Sequence, residues 1–156
     1  MAVIALGLSA YAGEMGWTLD QCRQHFGSEC GVDGVTYRFH LGPWGPPVPQ
    51  EPYSAEHYYR SVDHTFGNPA TSRLVEFTLD PDGTVGKIVW MKAFNGFPEA
   101  EVQQHLREAS GVNWERTGPD ENGFVSWVGK QHGKIIFNAT ESDNGRGTWF
   151  LEITTH

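Results

Sequence analysis

The sequence has few basic residues and no long apolar run. It contains 11 Lys and Arg against 19 Asp and Glu, which gives a net charge of −8. Because a surface this acidic repels phosphate backbones, nucleic-acid binding is not expected. No segment approaches the roughly 20 apolar residues that a membrane-spanning helix needs, so no transmembrane segment is expected either.

The chain also lacks the motifs that carry chemistry. It has no nucleophile elbow, no glycine loop for phosphates and no CxxC pair, and its seven histidines show no metal-ligand spacing. The turn at 80–83 resembles the start of a calcium loop, but Val85 and Met91 stand where Gly and Glu are required. We therefore expect no cofactor, no metal and no catalytic residue.

Turn-forming and aromatic residues are abundant instead. The 156 residues include 19 Gly and 9 Pro, and 13% of them are aromatic. A chain of this length favours a single domain, and this composition favours short strands and many turns over long helices.

Residues 1–12 are mostly apolar and end in Ala10-Tyr11-Ala12. An apolar run closed by a small-x-small triplet is typical of the end of a secretory signal peptide, so the mature chain is expected to begin near Gly13. No Lys or Arg precedes the run. The prediction is a secreted or periplasmic protein in which 1–12 is a signal-peptide remnant. The alternative is a cytoplasmic protein whose first residues pack on the core.

The two cysteines, Cys22 and Cys30, bear on the same question. In an exported protein a disulfide between them is expected, and the short loop would add about 2–3 kcal/mol. The alternative is that Cys22 is a buried thiol. A lipid anchor at Cys22 is rejected because polar residues precede it.

Local signals predict the helices and strands. Thr18-Leu19-Asp20-Gln21 is a capping box, which predicts a first helix over 18–27. A second helix is predicted to open at Pro98. The alternation of apolar residues and the turn residues between them predict a strand over 35–41, a hairpin over 73–92 and four further strands at 112–117, 123–129, 133–140 and 147–155.

The two predicted helices match at an offset of 80 residues, with Gln24 on Gln104 and His25 on His105. The simplest explanation is an internal repeat. The predicted fold class is therefore α+β, with two similar halves that each pack a helix on an antiparallel sheet of about four strands. Residues 13–156 would form one domain, with pseudo-repeats at about 14–93 and 94–156.

This tandem arrangement resembles the β-lactamase-inhibitor-protein fold, and the single module is similar to outer-membrane-assembly lipoproteins of the SmpA/OmlA type. The helix at 18–27, with Trp114, Trp127 and the end at 151–155, also resembles a group of small exported bacterial proteins of unknown function. The resemblance implies a fold and an exported location, and it assigns no functional residue.

Binding residues are predicted in the segment 43–59, which holds five prolines together with Trp44, Tyr53, Tyr58 and Tyr59. Prolines lower the ordering cost of a loop, and aromatic side chains dominate binding hot spots. The alternative is that this loop packs its aromatic side chains on the sheet. Most strand tryptophans are expected in the core, although a face without helices could expose some of them.

The predicted function is a non-catalytic, exported protein-binding module, either an enzyme inhibitor or an envelope-associated factor. One alternative is a small enzyme that uses His57, His64 or Asp63 in a pocket beside the proline-rich loop. Another is one subunit of an oligomer that buries the aromatic face. The sequence leaves the oligomeric state open.

Overall fold

The computed structural model describes residues 13–41, 73–93, 96–145 and 147–156. Two helices and eight strands make up this part of the chain. The helices are α1 (Leu19–Phe26) and α2 (Glu99–Ala109). The strands are β1 (Gly31–Asp33), β2 (Thr36–Leu41), β3 (Arg73–Leu79), β4 (Val85–Ala93), β5 (Asn113–Thr117), β6 (Ser126–Gln131), β7 (Lys134–Asp143) and β8 (Thr148–Thr155).

Helix α1 begins as its capping box predicts. The backbone N–H of Gln21 donates to Thr18 Oγ1 at 3.3 Å, and the backbone N–H of Thr18 donates to Gln21 Oε1 at 2.8 Å. The helix stops at Gly27, whose φ of +84° a side chain would disfavour. Its backbone N–H donates to the Arg23 carbonyl at 2.9 Å. The predicted helix over 18–27 is confirmed.

Helix α2 has no side-chain cap at Pro98, and the acidic residues Glu99 and Glu101 in its first turn complement the helix dipole. Its buried stripe consists of Val102, His105, Leu106 and Ala109. Three of these residues are apolar, as the helical period predicts, whereas the fourth is a histidine.

All strand pairs are antiparallel, and the strands lie in the order β1-β2-β3-β4-β8-β7-β6-β5. Strands β3 and β4 form the predicted hairpin. Its turn is closed by the Gly83 N–H, which donates to the Asp80 carbonyl at 2.9 Å, and by the Thr84 hydroxyl, which donates to Asp82 Oδ1 at 2.7 Å.

The predicted division into two halves, each with its own four-stranded sheet, is wrong. Strand β4 pairs with β8 over seven residue pairs, from Lys87↔Thr154 to Ala93↔Thr148, so one eight-stranded sheet runs through the molecule. The physical reason lies in the register. It sets the fully buried Ile88 opposite Ile153, which joins the apolar rows of both strands into one core.

This core lies between the sheet and both helices. It is a single cluster to which α1 contributes Cys22, α2 contributes Leu106, and the sheet contributes residues from Phe39 on β2 to Phe137 on β7. The N-terminal segment 13–17 adds Met15. That segment is held to α2 by the Met15 N–H, which donates to the Ala109 carbonyl at 2.9 Å, and to β4 by the Val85 N–H, which donates to the Trp17 carbonyl at 2.8 Å.

The predicted disulfide is not formed: the structure leaves Cys22 and Cys30 unbridged. The reason is that the two side chains belong to different clusters. Cys22 is fully buried in the main core, whereas Cys30 packs with Leu74 and Met91 in a second cluster. Burial raises the pKa of the Cys22 thiol to about 12, with a further contribution from the nearby Glu14. Cys22 is thus a buried thiol, the alternative that the sequence left open.

Candidate functional site

The two faces of the sheet differ. Side chains of successive strand residues point to opposite faces, and both helices pack on the face that carries Ile88 and Trp90. We call the opposite face the open face, because neither of the two described helices packs on it. Its accessible part runs from β4 across β8 and β7 to β6. It comprises Lys87, Val89, Ser126, Val128, Lys130, Asn138, Thr140, Phe150, Glu152 and Thr154, all exposed or half-buried.

The polar side chains of the open face pair across the strands. Ser126 Oγ and Thr140 Oγ1 share a hydrogen bond at 3.2 Å. Lys87 Nζ lies 3.7 Å from Glu152 Oε1, which balances these two opposite charges. At the far edge, Lys130 Nζ lies 2.8 Å from Glu115 Oε2 on β5. The surface therefore carries short or mutually paired polar groups and little net charge.

An apolar row crosses one end of the open face. Leu74, Met91 and Phe150 stand opposite one another on β3, β4 and β8. Leu74 and Met91 are almost fully buried, and Cys30 completes their cluster. Val89 and Phe150 are half-buried beside them. With half-buried Val128 on β6, these side chains form the apolar part of the face that solvent reaches.

A buried ion pair lies on β2 and β3, next to the edge of the accessible area at β4. Arg38 is 1% exposed, and its Nε lies 3.6 Å from Glu76 Oε2 on the neighbouring strand. Its Nη2 lies 3.6 Å from Asp33 Oδ2 on β1. Removing Arg38 or Glu76 would leave a buried charge uncompensated, so this pair favours the register that sets them opposite each other.

The strand tryptophans do not lie on the open face. Trp90 and Trp127 are each 2% exposed in the main core, and Trp149 packs against the same core. Trp114 stacks on Phe137 with ring centroids 6.0 Å apart. The strand tryptophans thus lie in the core or pack against it, as expected for most of them, and none of these four is exposed on the open face. All four tryptophans stand at strand positions that point to the face on which the helices pack.

A buried polar cluster lies under α2, and the sequence interpretation missed it. His105 stacks on Trp90 with ring centroids 4.1 Å apart, and its Nε2 lies 3.5 Å from Glu101 Oε1, one helical turn away. Lys92 Nζ lies 3.4 Å from Glu101 Oε2. The 3.5 Å separation is an ion-pair distance without a hydrogen bond, and neither ring nitrogen has a hydrogen-bond partner among the described residues. The Glu101/His105 spacing of four residues was the available signal.

The packing of this cluster favours a structural role. Lys92 is 5% exposed and lies over the Phe97 ring, 5.5 Å from its centroid. The Phe97 backbone N–H donates to Glu141 Oε2 at 3.0 Å. Burial raises the pKa of the Glu141 carboxyl. His105 thus lies between the Trp90 and Phe97 rings and beside Glu101, and the cluster joins α2 to β4.

The predicted binding residues Trp44, Tyr53, Tyr58 and Tyr59 lie outside the described residues. The same holds for His57, His64 and Asp63, on which the enzyme alternative depends. Within the described ranges no group of three or more His, Cys, Asp or Glu side chains is placed to hold a metal ion. No helix in this part of the chain is long and apolar enough to cross a membrane.

Comparison of the chain with protein-family models, with curated proteins and with solved structures finds no match.

Proposed function

We propose that this protein is a non-catalytic binding module that docks a protein partner on the open face of its sheet. The observation that carries the proposal is the chemistry of that face. It is broad, and its charges are paired across the strands. Half-buried Val89 and Phe150 lie on the same face as these paired polar side chains. A protein surface suits such an area better than a small ligand does, because small ligands prefer concave and mainly apolar sites.

The size of the accessible area indicates a weak partner interaction. Strands lie about 4.8 Å apart and rise about 3.4 Å per residue, so the four strands from β4 to β6 offer a patch of roughly 20 by 25 Å. Roughly 500 Å² on one side corresponds to a transient interface rather than a permanent one. The partner would be an enzyme that the protein inhibits or a component of the cell envelope.

Site-specific photo-crosslinking in the native host tests the proposal. Thr140, near the middle of the open face, is replaced with a photoreactive phenylalanine. Gln104, exposed on the outer side of α2, carries the same probe as the matched control. We expect one discrete protein adduct from position 140 and none from position 104. Equal adducts from both positions, or none from position 140, contradict the proposal.

The identified partner then allows a quantitative test. Thr140→Arg places a long charged side chain on the open face, and Gln104→Arg adds the same charge on α2. The first substitution should weaken binding by at least tenfold in calorimetric titration, about 1.4 kcal/mol, and the second should leave it unchanged. Equal affinity of both variants would place the partner elsewhere on the molecule.

Three predictions stay open beside this proposal. They are export of the mature chain from Gly13, the resemblance to the β-lactamase-inhibitor-protein and SmpA/OmlA-like folds, and a binding role for Trp44, Tyr53, Tyr58 and Tyr59. Intact-mass measurement of the protein from its native host tests the first. In the photo-crosslinking experiment, probes at positions 44 and 53 test the third.

A further inference from the structure

A shallow cavity opens on the outer side of α1, away from the open face. Its volume is about 260 Å³, and it is lined by Trp17, Gln21, Gln24 and His25. Gln21, Gln24 and His25 are spaced by three and four residues, which places their side chains on one side of the helix. Trp17 joins them from the residue just before the helix cap.

The wall of this cavity is held in place. The Trp17 backbone N–H donates to the Glu14 carbonyl at 3.1 Å, and its own carbonyl accepts from Val85 at 2.8 Å. The Trp17 ring lies against His25, with centroids 5.2 Å apart, and is 6.4 Å from the Phe26 ring, which packs on the core. The indole is therefore fixed before any ligand arrives, which lowers the entropy cost of binding.

Two amide side chains stand beside the indole. The Oε1 atom of Gln21 accepts from the Thr18 backbone, which fixes the amide and leaves its NH₂ group as a donor. The Gln24 side chain is exposed and forms no hydrogen bond with the described part of the chain. An amide offers both donors and an acceptor, and so matches a hydroxyl group in either role.

We propose that this cavity binds one ring of a neutral saccharide. The apolar C–H face of a sugar ring packs on the indole, while its hydroxyls exchange hydrogen bonds with the amides of Gln21 and Gln24 and with His25. None of the described lining residues is Lys, Arg, Asp or Glu, which favours an uncharged ligand. The volume lies below the range of about 300–1,000 Å³ for drug-sized ligands, which limits the site to a single ring.

Nuclear magnetic resonance with ¹⁵N-labelled full-length protein tests this inference. Glucose, galactose and N-acetylglucosamine are the probes, and inorganic phosphate is the charged control. The Trp17 indole N–H signal is assigned from the Trp17→Phe variant. We expect a saturable shift of this signal with at least one of the sugars and no shift with phosphate.

The variant Gln24→Leu separates the cavity from the rest of the surface. Because Gln24 is exposed, the variant should fold normally. Its sugar affinity should fall roughly five- to tenfold, the loss expected for one hydrogen bond. The matched control is Gln104→Leu on α2, which should bind like the wild type. The inference is overturned if no sugar gives a saturable shift, if phosphate gives the same shift, or if Gln24→Leu binds as tightly as Gln104→Leu.

Discussion

Glu14 is a carboxyl group placed almost entirely out of water. It is 2% exposed, and its Oε1 has no hydrogen-bond partner among the described residues. Burial raises its pKa from 4.5 to about 8, and the neighbouring Glu108 carboxylate adds to the rise. Glu14 is therefore protonated in the folded protein at neutral pH and ionised in the unfolded chain.

The stability of the protein should consequently fall as the pH rises from about 4.5 to about 8. In this window the folded state holds a proton that the unfolded state has lost, so each pH unit costs up to about 1.4 kcal/mol. Glu14→Gln should remove this dependence and stabilise the protein near pH 8. Urea unfolding of the wild type and of the variant across this pH range measures the free energy of unfolding of each. Glu108→Gln is the control and should keep most of the dependence, since burial is the larger cause. A wild-type slope equal to that of Glu14→Gln would contradict the prediction.

The Cys22 thiol gives a second prediction for a single residue. It is fully buried and its pKa is raised to about 12, so almost no thiolate is present or accessible at neutral pH. In the Cys30→Ser variant, Cys22 should react with Ellman's reagent only at the rate at which the protein unfolds, and at once in denaturant. The wild type in denaturant should show both thiols without added reductant. Fast labelling of the native variant, or a missing thiol signal in the wild type, would contradict the unbridged arrangement.

Strand β6 packs closely against neighbouring apolar side chains at Gly129. A Cβ atom at this position would lie 2.9 Å from Val112 Cγ2 and 3.1 Å from Trp114 Cζ3, beneath the Trp114–Phe137 stack. Gly129→Ala should therefore overpack the core and cost about 1–3 kcal/mol of unfolding free energy. Gly118→Ala is the matched control, because a Cβ there meets no atom within 4 Å. Thermal unfolding of both variants checks the difference, and equal stabilities would contradict it.

The sequence predicts elements better than their assembly. The Thr18/Gln21 capping box and the 80–83 turn act within a few residues, so α1 and the β3–β4 hairpin could be predicted from local chemistry. The pairing of β4 with β8 joins positions more than fifty residues apart, and no local signal specifies it. The residues of the open face could not be predicted for the same reason, since they depend on which strands become neighbours.

The burial of individual residues was equally hard to predict. His25 and His105 match in the sequence, yet His25 is exposed while His105 is buried against Trp90. The difference comes from α2, which brings His105 over the middle of the sheet. Glu14 follows an apolar run that resembles a signal peptide, and nothing in that pattern indicates a buried carboxyl group.

At the scale of the whole molecule, the β4–β8 junction joins the two sides of the sheet into one eight-stranded sheet. Both strands carry fully buried residues at the junction, and the same apolar cluster holds α1 and α2. A molecule joined in this way is expected to unfold in one cooperative transition. Two independent four-stranded units would instead unfold in two steps.

Substitution at the junction tests this cooperativity. Ile153 is 0% exposed and pairs with Ile88 on one side and Ala139 on the other. Ile153→Ala should cost about 2–5 kcal/mol. Strands β3 and β6 lie on opposite sides of the junction. In the variant, hydrogen exchange of the slowest-exchanging amides should speed up in both strands, and the factor should be the same in β3 as in β6. Ile135→Ala is the matched control, because that side chain is 37% exposed at the start of β7, and it should cost less than about 0.5 kcal/mol. Faster exchange confined to β6, with β3 unchanged, would show that the two sides of the sheet open separately and that the junction does not couple them.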